Sequence, residues 1–479
     1  MVEENLKYKT KIAFYWNMIS QVATYGMQFV VGVVMARLLS PEDYGLTALP
    51  AVFISIASVF VNGSFGLALI RKPDCSEKDL STAFYYSIVM GILIYALLFV
   101  SAPWIAAFYD APILTELVRV TALTFLIAPI NTPQTVILNH RIDFKTPARI
   151  NIVTRLLAGA LGIGIAYAGY GVWALVISNL FATLSSVFLT WIIVKWIPRE
   201  RFSKESFRYL WNFGNKMMAS SLIGTLYNNV TPVVVGKFFG PAELGLFNRA
   251  QGYAFLLHSE VTMNVQSMSY PVLSKMQDDN ERLCNGYNRI IRTTCFVYFP
   301  LMVLLLALAK PLVVLMLTEK WGACVPLLQI LCLVAMSGPY SALNMNVLTV
   351  KGRSDLYLGN DVKKKTASIV IMCCTLPFGL TAYCWGVLLA QIFTLYINLS
   401  CVKQVLPMSI IQQIRELIPM LMLSCVMCAA LFLFCFIFKN YWAQLIGGGA
   451  LGIAVYVGGA FLFKFPEIQE VKYMLSKKR

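Results

Sequence analysis

Long apolar runs, separated by short polar stretches that carry Lys, Arg, Pro and Gly, recur from one end of the chain to the other. Runs of this length match the roughly 20 residues that a helix needs to cross a hydrocarbon core. They are not the short alternating segments of a membrane barrel, so the chain reads as a bundle of helices whose backbone polar groups are paired within each segment. The pattern predicts helices over 12–36, 43–70, 83–107, 114–139, 150–168, 171–195, 215–236, 241–272, 293–317, 323–350, 364–379, 381–402, 415–438 and 441–463. The fold class is therefore an all-α polytopic membrane protein of about 14 spans.

Composition strengthens this picture. Of 479 residues 58% are hydrophobic and 13% charged, with a mean hydropathy of +0.69, whereas soluble domains carry roughly 25% charged residues. The net charge of +16 would suit nucleic acid if it were clustered on one face, but its placement points elsewhere. With the amino terminus in the cytoplasm, the external loops hold Arg37, Lys237, Lys320 and Lys439, and Arg119, Arg155, Arg249 and Lys310 fall inside spans. The rest of the 39 Lys and Arg lie on the cytoplasmic side, including Lys7, Lys9, Lys11, the Lys363-Lys364-Lys365 run and the tail ending Lys477-Lys478-Arg479. This is the positive-inside pattern, with both termini cytoplasmic and no nucleic-acid partner. The first span is too long and too polar for a cleavable signal and is expected to stay in the mature chain. Eleven of the twelve cysteines follow residue 280 without His or carboxylate neighbours, so they read as small packing residues and no metal site is expected.

The chain also repeats itself. Arg37-Leu38-Leu39-Ser40-Pro41-Glu42-Asp43-Tyr44-Gly45-Leu46 returns 200 residues later as Lys237-Phe238-Phe239-Gly240-Pro241-Ala242-Glu243-Leu244-Gly245-Leu246. Each copy predicts a tight external turn into a helix, with Ser40 or Gly240 at the N-cap, proline in the first turn and an acid at the third helical position. Weaker echoes follow in order: Pro103 and Pro311, Leu138 with Arg141 and Leu348 with Lys351, Trp173 and Trp385. Six spans per half is an even number, so the halves insert with the same orientation, related by an axis along the membrane normal. The expected organisation is 1–199 as a first lobe, 200–404 as a second, and 405–479 as two additional helices with a basic tail. Gly447-Gly448-Gly449 in the last span is expected to permit close helix packing.

Polar residues inside spans locate the expected cavity. Asn17, Gln21, Thr24 and Gln28 lie on one face of the first span; Ser221, Thr225 and Asn228 lie similarly on the seventh, at the 200-residue offset. Both stripes predict a shared polar cleft, with hydrogen bonding between neighbouring helices as the alternative. The eighth span carries Arg249, Tyr253, Glu260, Asn264 and Ser267 near one face. Arg249 is a candidate anion-binding group, or a cation reaching the interface. Glu260, which can lose its charge by protonation, is the candidate coupling group for a proton or sodium gradient, or the partner of a cation on another helix. Arg119, Arg155 and Lys310 are placed within about two turns of span ends, with Arg155 favoured as an anion site by the helix start near it. His140 and His258 are too far apart in sequence to suggest a metal pair and receive no role.

The hinge run from Ala36 to Gly45, together with Gly66-Leu67-Ala68-Leu69-Ile70, Gly245-Leu246-Phe247-Asn248-Arg249-Ala250-Gln251 and Arg141-Ile142-Asp143-Phe144-Lys145, resembles the polysaccharide-transporter branch of the MOP flippase superfamily. Within it the chain is most similar to the Wzx and WzxC type of lipopolysaccharide and exopolysaccharide biosynthesis protein. The resemblance implies a MOP/MATE-like fold of two six-helix lobes plus two helices in a bacterial inner membrane. It also implies a flippase carrying an undecaprenyl-diphosphate-linked oligosaccharide by alternating access. Polysaccharide polymerase and chain-length proteins are the implied neighbours, and the chain is expected to act as a monomer without a cofactor. On this reading Arg249, Arg37, Lys237 and Arg155 would neutralise the diphosphate, the two polar stripes would replace water around the sugars, and Trp16, Tyr25 and Tyr227 would stack on them. A MATE-like cation antiporter is the rival transporter, although that chemistry favours an acid in the first span, which has none. A glycan polymerase or ligase is the enzymatic rival; it would need catalytic groups on a sizeable external loop, and the external connections are short.

Overall fold

The computed structural model describes residues 24–62, 65–72 and 74–470. Asn17, Gln21 and Trp16, with the carboxy-terminal Lys477-Lys478-Arg479 run, lie outside them. Every regular element among the described residues is helical, and eleven helices are long and apolar enough to cross a membrane. Three expectations account for the difference from fourteen. The first span is described only as α1 (Thr24–Leu38). The seventh and eighth form one helical run, Lys204–Ser274. The eleventh extends back to Ser354 and takes the Lys363-Lys364-Lys365 run into its middle, which makes it too polar to qualify.

The first compact unit runs to Gly245. After α1 come α2 (Pro41–Asn62), α3 (Phe65–Arg71), α4 (Glu77–Phe108), α5 (Leu114–Ala122), α6 (Thr124–Ile127), a 3-10 turn over Ala128–Asn131, α7 (Thr132–His140), α8 (Lys145–Tyr167), α9 (Trp173–Val194) and α10 (Lys204–Asn228). The turn between α3 and α4 is locked by a capping box in which Ser76 and the buried Asp79 bond reciprocally, while Lys72 reaches the Asp79 carboxylate at 2.7 Å. That hydrogen bond holds the Lys72 ammonium above the usual lysine range. Beside it Phe65, Leu69, Ala83 and Leu210 form a buried cluster, and Phe65 stacks on Tyr86 with ring centroids 4.1 Å apart. Helix α10 thereby packs on α2, α3 and α4. Packing groups α10 with the helices it touches, whereas the sequence repeat assigns it to the second half.

The second unit begins at Leu246, within α11 (Val230–Ser274), and continues through α12 (Asn280–Ala307), α13 (Ala309–Leu317), α14 (Cys324–Ala335), α15 (Gly338–Val350), α16 (Ser354–Thr375), α17 (Leu380–Val405), α18 (Ile410–Arg415), α19 (Ile418–Ile437) and α20 (Tyr441–Leu462). The last two spans pack on each other and on α12 and α13. Small residues permit this: a Cβ on Gly447 would lie 2.9 Å from Phe434, and one on Gly448 3.0 Å from Leu308. Arg292 on α12 ties the pair down, with Nε 2.6 Å from Glu467 and Nη1 2.9 Å from Glu416.

The repeat is visible in backbone geometry. Helix α7 ends with Ile142 and Asp143 donating to the Asn139 and Leu138 carbonyls, and α15 ends with Gly352 and Arg353 donating to Thr349 and Leu348, each at 3.0 Å. Ile142 (φ 55°) and Gly352 (φ 69°) occupy the same left-handed position.

Candidate functional site

The fourth span is broken in its middle. Pro129 has no N–H to continue the ladder, and Pro133 follows at the start of α7, so the chain passes through a 3-10 turn before the helix resumes. Discontinuous helices inside a membrane place irregular backbone where protein or a cavity can satisfy it. The Ile130 carbonyl is met by Trp191 Nε1 at 3.3 Å. Asn131 Nδ2 faces Thr190 Oγ1 at 3.5 Å, while its Oδ1 is buried without a hydrogen-bond partner.

Two cavities adjoin at this break. One, of about 470 Å³, is lined by Ser58, Asn131, Thr132, Thr135 and Ser221 together with apolar side chains from α2, α3 and α7. The other, of about 220 Å³, is lined by Arg155 with Asn131, Asn151, Thr154, Thr183 and Ser186. Ala128 and Asn131 border both. Arg155 is the eleventh residue of α8, about 15 Å along the axis at 1.5 Å per residue. It therefore sits near the middle of α8, which starts at Lys145, earlier than its apolar pattern suggests. It makes no hydrogen bond or ion pair with any described residue.

The two copies of the hinge motif meet. Asp43 Oδ2 accepts from the Ser40 N–H and hydroxyl, both at 2.8 Å, and the Asp43 N–H donates back to Ser40 Oγ at 3.1 Å, which is the expected capping geometry. In the second copy Gly240 takes φ 86° and ends one helical segment before Pro241 begins the next. A Cβ on Gly45 would lie 1.7 Å from the Pro241 carbonyl oxygen, and one on Gly245 1.9 Å from that of Pro41. The contact is reciprocal, each glycine seated on the other copy's proline. Lys237 pairs with Asp110 at 2.8 Å and lies over Phe108, so its charge already has a carboxylate partner.

The other proposed residues are distributed. Ser221 reaches the larger cavity, whereas Thr225 is half-buried and Asn228 exposed, and neither lines it. Gln28 and Arg37 are exposed on α1. In the second unit the Arg249 guanidinium lies 5.5 Å from the ring of fully buried Trp321 and 5.9 Å from that of Tyr253. Glu260 is half-buried about three turns beyond Arg249, next to His258, whose Nδ1 lies 3.0 Å from the Ala335 carbonyl. Arg119 is engaged with Phe99 through both its ring and its carbonyl.

Residues 34–326, more than half of the chain, match the family model described as polysaccharide biosynthesis protein. The chain belongs to that family. Among curated members it is 29% identical over 344 residues to the teichuronic acid biosynthesis protein TuaB of Bacillus subtilis (strain 168), covering 71% of each chain. It is 23% identical over 358 residues to the lipopolysaccharide biosynthesis protein WzxC of Escherichia coli (strain K12), covering 74% of this chain and 72% of that one. Among solved structures the lipid II flippase MurJ, in an inward closed conformation, superposes with a TM-score of 0.71 at 17% identity, over 93% of this chain and 99% of that one. The chain is thus a multi-pass membrane protein of the polysaccharide biosynthesis family, and its fold is shared with MurJ.

For this family member the polar groups at the break, Asn131, Thr132 and Thr135 with Asn151, Thr183 and Ser186, are additions to the residues that the stripes selected. Two prolines four residues apart inside an apolar run were their signal in the sequence.

Proposed function

We propose that the protein is a flippase for a lipid-linked oligosaccharide, of the undecaprenyl-diphosphate kind, in the cytoplasmic membrane of a bacterium. The observation that carries this is the cavity of about 470 Å³ lined by hydroxyl and amide groups within a bundle of apolar helices. Such a lining exchanges hydrogen bonds with sugar hydroxyls that would otherwise be stripped of water, while the polyprenyl tail stays in lipid. Membership in the polysaccharide biosynthesis family supports the reading, as do the names of its relatives, which connect them with teichuronic acid and lipopolysaccharide biosynthesis. Transport proceeds by alternating access, with the reciprocal Gly45–Pro241 and Gly245–Pro41 contact as its external gate. Both termini lie in the cytoplasm, Glu260 couples the cycle to a proton or sodium gradient, and the protein forms and breaks no covalent bond in its substrate. It works as a monomer beside the polymerase and chain-length proteins that use its product.

The test is leaflet exchange. The protein is reconstituted in liposomes with a fluorescent lipid-linked glycan, and the fraction reachable by a membrane-impermeant quencher is followed with time. Exchange faster than in protein-free liposomes is expected for a cognate glycan. No acceleration across a panel of lipid-linked glycans removes the proposal, and cleavage or joining of glycan by the purified protein would replace it with an enzymatic one.

A further inference from the structure

Helices α11 and α12 follow one another along the chain, yet in the second unit they stand apart around a cavity of about 1120 Å³. One wall is Val261, Val265, Met268 and Val272 of α11, at spacings of four, three and four. The other is Ile290, Thr294, Val297 and Leu301 of α12, at the same spacings. Each wall is thus a single helical face. Both faces run for about 16 Å at 1.5 Å per residue, close to half of a hydrocarbon core of roughly 30 Å, which is the depth of one leaflet. Polar side chains in the walls bond to their own helices. Asn264 Nδ2 donates to the Glu260 carbonyl at 2.8 Å, Ser269 Oγ to that of Val265 at 2.6 Å, and Thr293 Oγ1 to that of Arg289 at 2.9 Å. One end of the groove is closed by the segment after α20, where Pro466, Gln469 and Glu470 meet Arg289. The apolar runs of the sequence stop at 272 and resume at 293, so this end lies at the membrane interface. Arg289 Nε donates to Glu470 Oε1 at 2.7 Å, with the guanidinium side chain 72% exposed and the carboxylate 24%. The other N–H groups of Arg289 make no hydrogen bond among the described residues, while Glu470 also accepts from Thr293.

We infer that this groove holds a phospholipid of the surrounding membrane, phosphatidylethanolamine, with one acyl chain between α11 and α12 and its head on the Arg289–Glu470 pair. Three features argue for this occupant. The groove is as deep as one leaflet, which suits an acyl chain; a polyprenyl tail is far longer than that depth. Met268, Val272, Val297 and Leu301 are exposed apolar residues along it, so a chain enters sideways from the bilayer. At the interface, the guanidinium and carboxylate of Arg289 and Glu470 carry no net charge between them. A head that brings a phosphate and an ammonium meets both with opposite sign. Phosphatidylglycerol brings the anion alone, and the quaternary ammonium of phosphatidylcholine has no N–H to give the carboxylate. Pockets between helices at the interface are where lipid heads are recognised. The lipid would join α11, α12 and the segment after α20, and the site does not depend on what the protein transports.

The experiment measures equilibrium binding of phosphatidylethanolamine, labelled at the end of one acyl chain, to the purified full-length protein in detergent. Unlabelled phosphatidylethanolamine, phosphatidylglycerol, phosphatidylcholine and polyprenyl phosphate serve as competitors. Phosphatidylethanolamine is expected to compete about fivefold better than either of the other phospholipids. Val297→Trp, which fills the groove from an exposed position, should weaken binding about tenfold, with melting of the lipid-free protein unchanged or raised. Arg289→Gln should weaken it about fivefold, and Glu470→Gln should erase the preference over phosphatidylglycerol. If Arg289→Gln does not fold, the other two variants decide. Unchanged affinity in Val297→Trp overturns the groove as the site. Equal competition by phosphatidylglycerol in the wild type, or an unchanged preference in Glu470→Gln, overturns the head assignment. Tighter competition by polyprenyl phosphate gives the groove to a carrier lipid and overturns the proposal.

Discussion

Arg155 and Arg249 are both cations in spans, and their surroundings give them different work. Arg249 lies against Trp321 and Tyr253, where a guanidinium over a ring contributes about 0.5–2 kcal/mol, more as it is desolvated. Anion binding by Arg249 implies that Arg249→Ala impairs transport while Arg249→Lys retains some, charge being the property that matters. The stacking adds a second property. Arg249→Ala is expected to lower stability by about 1–2 kcal/mol, with Arg249→Lys intermediate because an ammonium has no plane to lay on the indole; thermal melting in detergent measures both. Normal transport by Arg249→Ala at equal expression would leave Arg249 a packing residue only. Neither ring was visible as a partner in the sequence, since Trp321 lies 72 positions away. Glu260 poses the opposite problem, a titratable group whose role is set by what its charge does during the cycle. Glu260→Gln should abolish the dependence of transport on a proton or sodium gradient, read as initial flux with and without the gradient, and a retained dependence excludes this carboxylate.

At the scale of elements, the hinge motif and the broken fourth span carry the design. The capping box of Ser40 and Asp43 was legible because an N-cap and its third helical residue are local in sequence. That Gly45 and Gly245 must be glycine was not, since the atoms that exclude a side chain belong to the other copy, 1.7 and 1.9 Å from where a Cβ would stand. Adding a methyl there requires the two backbones to separate. Gly45→Ala and Gly245→Ala are each expected to hold the gate open. With Ser58→Cys in a cysteine-free background as reporter, the alanine variants should react several-fold faster with a membrane-impermeant maleimide added outside, and an unchanged rate would show that the contact does not gate the cavity. The break at Pro129 has its counterpart at Pro339, at the start of α15, at the shift that also relates Leu138 to Leu348. A proline pair matched between halves was available in the sequence as a sign of paired discontinuities, but which side chains gather around a break depends on α8 and α9 packing beside it.

For the whole molecule, the attachment of the last two spans is electrostatic at one end. Glu467 is buried and paired to Arg292. Removing the cation leaves a buried carboxylate without its partner, so Arg292→Gln is expected to cost about 3 kcal/mol. The double variant Arg292→Gln with Glu467→Gln should recover much of that loss; melting of the four proteins closes the cycle, and strictly additive losses would deny the coupling. The sequence by itself determined that this chain lives in a membrane, that its helices cross it repeatedly, and that two halves share one plan. Those properties depend on apolar run length, loop charge and recurring short motifs, all local or periodic along the chain. Tertiary structure decided which polar groups face a common cavity, that the glycines of one motif copy seat on the prolines of the other, and that α11 and α12 stand apart around an apolar groove. A side chain's energy in a membrane is set by what lies across from it, and that neighbour comes from another helix far along the chain.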